Sequence, residues 1–126
     1  MYQSYITASE YVEMGYSAIP VEQLPLWLKK ASRQIDTLTF NRIVKRGFEH
    51  LTEFQQEIIK EVCAEQASFI YENADAIESV LSNYTINGVS MTWGGGMNVI
   101  IEGGVPTQKT LYSLLEQTGL CCRLSR

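Results

Sequence analysis

Glu53, Glu57, Glu61 and Glu65 recur every four residues, a spacing that stacks four carboxylates along one face of an α-helix and mildly opposes that helix by like-charge repulsion. Such a stripe can stay solvated, can meet a basic surface on another molecule, or can line a channel through which DNA slides without sticking. The counterpart lies just upstream. Six of the ten basic residues, Lys29, Lys30, Arg33, Arg42, Lys45 and Arg46, fall in one stretch, whereas the next holds Glu49 through Glu78 against a lone Lys60. The chain therefore reads as electrically two-sided, with the basic 29–46 region of one copy suited to the acidic stripe of another.

Other reactive side chains do not assemble into a catalytic set. His50 is the single histidine, in a connector, without clustered partners for a metal. Gly94, Gly95 and Gly96 lack the GK[ST] ending of a phosphate-binding loop and precede no helix start, so they read as a flexible pivot. Cys63 has helical spacing from Ile59 and reads as a small buried hydrophobe, and the adjacent Cys121 and Cys122 read as packing or tail residues rather than a redox pair. Trp27 and Trp93 read as packing anchors. No catalysis, metal or cofactor is expected, because no nucleophile, base and orienting partner can be named together.

These groups need elements to position them. In TASEYVEMG, Thr7 can cap a helix over 8–14 while Glu10 reaches back to the cap amide, with Gly15 as the stop and Tyr11 and Met14 on one face. Leu24, Leu28, Ala31, Ile35 and Leu38 alternate steps of four and three, one apolar stripe on a helix that starts near Val21 and ends near Thr39. A connector follows. Thr52 can cap a third helix to about Tyr71, with Phe54, Ile58, Val62 and Phe69 inward and Ile59, Cys63 and Ile70 widening the stripe.

The 80–104 region changes character. Asn87-Gly88 is a strong hairpin signal, flanked by Tyr84, Ile86 and the strand formers from Val89 through Met91 to Trp93, so a hairpin over about 80–93 is expected. Such a short hairpin is marginal alone and must lean on its own domain or on a neighbour. MNVIIEGG adds a further candidate strand, and VPTQKTLYSLLEQTG reads as a closing helix starting at Pro106 or Thr107 and stopping at Gly119. The expected fold is mainly α: a small bundle of about four helices, with an inserted β-hairpin and a flexible Gly-rich loop before the C-terminal helix. At 126 residues and 45% hydrophobic, residues 1–126 suit one domain. No secretory signal or membrane span is expected, and three cysteines without CxxC spacing suit a reducing compartment.

The succession YITASEYVEMG, the AS..ID..T..RI helix (Ala31, Ser32, Ile35, Asp36, Thr39, Arg42, Ile43), IESVLSNYTINGVSMTW and the GL..R ending (Gly119, Leu120, Arg123) resembles the head–tail connector, or adaptor, proteins of long-tailed bacteriophages and prophages across almost the whole chain. The resemblance implies a structural, non-enzymatic virion protein that waits in the host cytoplasm and then assembles as a dodecameric ring at the head–tail interface, beneath the portal. It would extend the DNA channel without sequence-specific binding and without a membrane partner, and present a surface to the next head-completion, stopper or tail protein. By the same resemblance the 120–126 tail, with Leu120, Arg123, Leu124 and Arg126, docks on the portal. The hairpin and glycine pivot (Tyr84, Ile86, Asn87, Gly88, Met91, Trp93 and Gly94 to Gly96) become assembly elements at a ring interface or the channel, and Lys29, Lys30 and Arg33 with the four glutamates supply inter-subunit or channel charge.

The alternative is a small helical DNA-binding regulator or packaging subunit that sets the 29–46 bases on phosphates. A net charge of −4 weighs against it, because phosphate contacts dominate nucleic-acid affinity and no basic, polar recognition helix is evident.

Overall fold

The computed structural model describes residues 4–75, 77, 89–93, 97–102 and 105–121. The first helix, α1 (Ala8–Glu13), begins at the expected capping box: Thr7 Oγ1 accepts the Glu10 amide at 3.1 Å and the Glu10 carboxylate accepts the Thr7 amide at 3.0 Å. Tyr11 is buried, and its hydroxyl shares a 2.6 Å hydrogen bond with Ser68. Met14, three residues on, is not buried with it. It caps the helix end and is 40% exposed, and the chain then turns at Gly15 with φ +94°.

A 3-10 turn (Val21–Gln23) leads into α2 (Leu24–Leu38), with Pro25 in the first turn where no amide partner is missed. All five residues of the predicted stripe are buried. The helix ends in a Schellman motif: the Phe40 amide bonds the Thr37 carbonyl at 3.2 Å and the Asn41 amide bonds the Asp36 carbonyl at 2.8 Å. Phe40 and Asn41 are both left-handed, with φ +57° and +59°. The connector expected after Thr39 contains a short helix, α3 (Arg42–Arg46), and a 3-10 turn (Phe48–His50) that turning propensities alone do not announce.

The longest helix, α4 (Glu53–Glu72), is capped by Thr52, which exchanges hydrogen bonds with Gln55 at 3.0 and 3.1 Å. Ile58, Ile59, Val62, Cys63, Phe69 and Ile70 face inward as expected. Phe54 does not, and is 54% exposed. At 100° per residue it stands roughly 120° around the helix from the buried Gln66 and within about 20° of Glu61, on the acidic side. Trp27 meets Tyr71 edge-to-face at 5.4 Å while Gln34 meets Gln66 at 2.8 Å, so α2 and α4 pack antiparallel.

Three antiparallel strands, β1 (Val89–Trp93), β2 (Met97–Glu102) and β3 (Val105–Gln108), lie in sequence order in one sheet. Trp93 pairs with Met97 across residues 94–96, and Glu102 pairs with Val105. The candidate strand in MNVIIEGG is thus β2, and the described part of the expected hairpin, β1, pairs with it. Tyr84, Ile86, Asn87, Gly88 and Gly94 to Gly96 lie outside the described residues. The closing helix needs correction: Val105–Gln108 is a strand, and the last helix, α5 (Lys109–Glu116), begins at Lys109. Pro106 fits an outer strand, where a missing amide donor is tolerated. The chain turns at Gly119, φ +76°, as predicted.

The protein is therefore a small, mainly helical fold with a β-insertion ahead of its C-terminal helix. Ile35, Ile59, Ala64, Val99 and Leu115 share one core, and each large aliphatic contributes about 1.5–3 kcal/mol by leaving water.

Candidate functional site

The acidic stripe is real as geometry. Glu53, Glu57 and Glu61 are exposed on α4 and Glu65 is half-buried. Among the described residues no lysine or arginine pairs with Glu53, Glu57 or Glu61. Lys60, the one base in α4, turns away to α1 and donates to Glu10 Oε2 at 2.8 Å. That hydrogen bond, with the Thr7 amide, holds the Glu10 carboxyl below its usual value.

At its C-terminal end the stripe runs into a groove of about 160 Å³ lined by Tyr16, Glu65, Ser68, Phe69, Glu72, Asn73 and Gln108. Burial and then the Glu61 charge push the Glu65 carboxyl up. Burial, followed by Glu65 and Glu61, likewise raises the Tyr16 phenol. The groove is well below the 300–1,000 Å³ of typical small-molecule sites.

Basic residues occupy the exposed side of α2 and the corner after it. Lys29, Lys30 and Arg33 lie on the exposed face of α2, with Lys30 Nζ 4.5 Å from the Trp27 ring centroid. Lys45 and Arg46 are exposed in α3. Arg42 is half-buried: it donates to the Leu120 carbonyl at 3.0 Å and its guanidinium carbon lies 5.2 Å from the Phe40 ring. Acid and base are thus carried by the two helices that form the centre of the fold, each on its outward side.

Compared with protein-family models, curated proteins and solved structures, the chain matches none.

The remaining candidates separate. Leu120 is 2% exposed and packs in this chain's own core, so it is withdrawn from any docking surface; its apolar side chain follows the Gly119 turn back onto the bundle. Arg123, Leu124 and Arg126 lie outside the described residues. Met91 and Trp93 belong to β1. His50 is exposed, 3.9 Å from Glu49. Cys63 and Cys121 are buried, and burial pushes their thiols up to about 11 and about 12. Trp27 is half-buried, its indole N–H donating to Gln23 at 3.3 Å.

Sequence reasoning passed over Phe40. It is 49% exposed and stands on left-handed backbone at the corner between α2 and α3. The adjacent Asn41, a residue that tolerates positive φ, was the available signal that the corner turns there.

Proposed function

We propose that this chain is a structural ring subunit at the head–tail junction of a long-tailed bacteriophage or prophage, seated beneath the portal and extending the DNA channel. The resemblance of its segment order to connector proteins supplies the setting. The observation that carries the reading is the outward display of carboxylates on α4, without described counter-cations, and of bases on α2 and α3. An acid-on-base contact between unlike faces is heterologous; it repeats from copy to copy and closes into a ring when the rotation permits. With Leu120 in the core of its own chain, the reading rests portal docking on Arg123, Leu124 and Arg126.

The test is size-exclusion chromatography with light scattering, on the chain alone and mixed with the portal protein of the same genome. A large co-eluting complex is expected. Failure to associate with portal, together with steeply salt-dependent binding to duplex DNA, would overturn the reading in favour of a regulator.

A further inference from the structure

Every helix end in this chain that turns through a left-handed residue does so at glycine, with one exception among the described residues. Gly15, Gly47 and Gly119 take φ of +94°, +85° and +76°. At the end of α2 the left-handed residue, the first past the cap of a Schellman motif, is Phe40 at φ +57°. Glycine or asparagine is the ordinary occupant there, because a Cβ is strained in that region and a bulky side chain more so. Strain of this kind is compensated when the side chain is buried in its own core, yet Phe40 is 49% exposed. Its described ring neighbour is the Arg42 guanidinium.

The corner itself is held firmly. The Thr39 hydroxyl donates to the Ile35 carbonyl at 2.9 Å, the Asn41 amide bonds Asp36, and Arg42 ties the corner to the Leu120 carbonyl. A rigid backbone thus presents an aromatic ring outward, with Val44 56% exposed one turn into α3 and Lys45 and Arg46 exposed beside it. Rigid aromatic side chains rimmed by charge are the usual anchors of protein interfaces.

We infer that Phe40 is the anchor of a contact between two copies of this chain, seated against the Phe54, Glu57 and Glu61 face of α4 in the next copy. Charge and apolarity match on both sides. Phe54 is exposed within the acidic stripe, so that face carries an aromatic flanked by carboxylates, and the Phe40 corner carries an aromatic and a valine flanked by bases. The two patches are different surfaces of one chain, so the contact is heterologous. This inference deepens the ring reading, and its own claim is self-association of the chain without portal.

Sedimentation velocity over a concentration series at low salt tests it, on wild type, Phe40→Gly and Phe40→Asn. Both substitutions suit positive φ, so their thermal midpoints should equal or exceed that of wild type. Wild type should associate with concentration, and both variants should associate about tenfold more weakly or less, as loss of an aromatic anchor does. A wild type that stays monomeric throughout, or a folded Phe40→Gly that associates as wild type does, overturns the inference. Phe40-dependent association without portal binding would uphold it while removing the connector reading.

Discussion

Thr107 donates its hydroxyl to the Gln66 side-chain oxygen at 2.7 Å, in a site where both residues are 1% exposed. The Gln66 amide nitrogen donates in turn to Gln34 Oε1 at 2.8 Å and to the Pro106 carbonyl at 3.0 Å. One side chain on α4 thereby uses both of its donors and its acceptor to join α2 and β3. This places the β-insertion on the helices by hydrogen bonds as well as by apolar contact, and it ends the outer edge of β3 against protein rather than water.

Replacing Gln66 by Leu keeps the volume and removes all three bonds. The change should destabilise the fold by about 2–4 kcal/mol, because the Thr107 hydroxyl and the Pro106 carbonyl are left buried without partners. Urea unfolding followed by circular dichroism measures it. A loss within experimental error would show that the sheet is held by packing alone.

Two carboxylates should respond to pH with opposite sign. Glu10 is held below its usual value by Lys60, so its ionised form stabilises the fold near neutrality and that contribution fades as pH falls through the carboxylate range. Glu65 is pushed up by burial and by Glu61, so its charge opposes folding near neutrality and the opposition is relieved on acidification. Glu10→Gln should lower the melting temperature at pH 7 and Glu65→Gln should raise it, with both differences shrinking at acid pH. Shifts of the same sign would contradict the assignment.

Cys63 and Cys121 should resist alkylation in the native protein, since burial keeps them as thiols with pKa values of about 11 and about 12 and the thiolate is the reactive form. Peptide mapping after iodoacetamide should find both modified only when the chain is first unfolded in denaturant. Rapid labelling of either in native buffer would place it at the surface.

Much of the helical frame could be read from residue order. The capping boxes at Thr7 and Thr52 and the α2 stripe are local and periodic, and local signals need no tertiary context. Phe54 misled because a residue four before Ile58 looks inward by spacing, while the buried face of α4 is centred further around, near Gln66. Pro106 misled because a proline serves equally as a helix start or an outer-strand residue, and the choice depends on β2 and α4 lying beside it. The charged faces were legible from the four-residue repeat of glutamate. At the Phe40 corner Asn41 signalled a turn, but the outward ring was not legible, since nothing in a one-dimensional pattern says that an aromatic will be turned out on left-handed backbone.

Reversing charge on one patch should weaken association, and reversing both should restore it. Glu57→Lys with Glu61→Lys, or Lys45→Glu with Arg46→Glu, should each reduce self-association at low salt while leaving the melting temperature near wild type. An equimolar mixture of the two double variants should regain association as alternating copies, because the native corner of one meets the native α4 face of the other and the two reversed patches match each other. Isothermal titration of one variant into the other reads the pairing, and its absence would separate the charge pattern from assembly.

The central claim is that the chain builds a ring on the portal. Electron microscopy of purified portal particles incubated with excess subunit addresses it directly. The account predicts an added ring of density, coaxial with the portal and lengthening its channel, that is lost when residues 122–126 are removed. Bare portal particles at saturating subunit would contradict it.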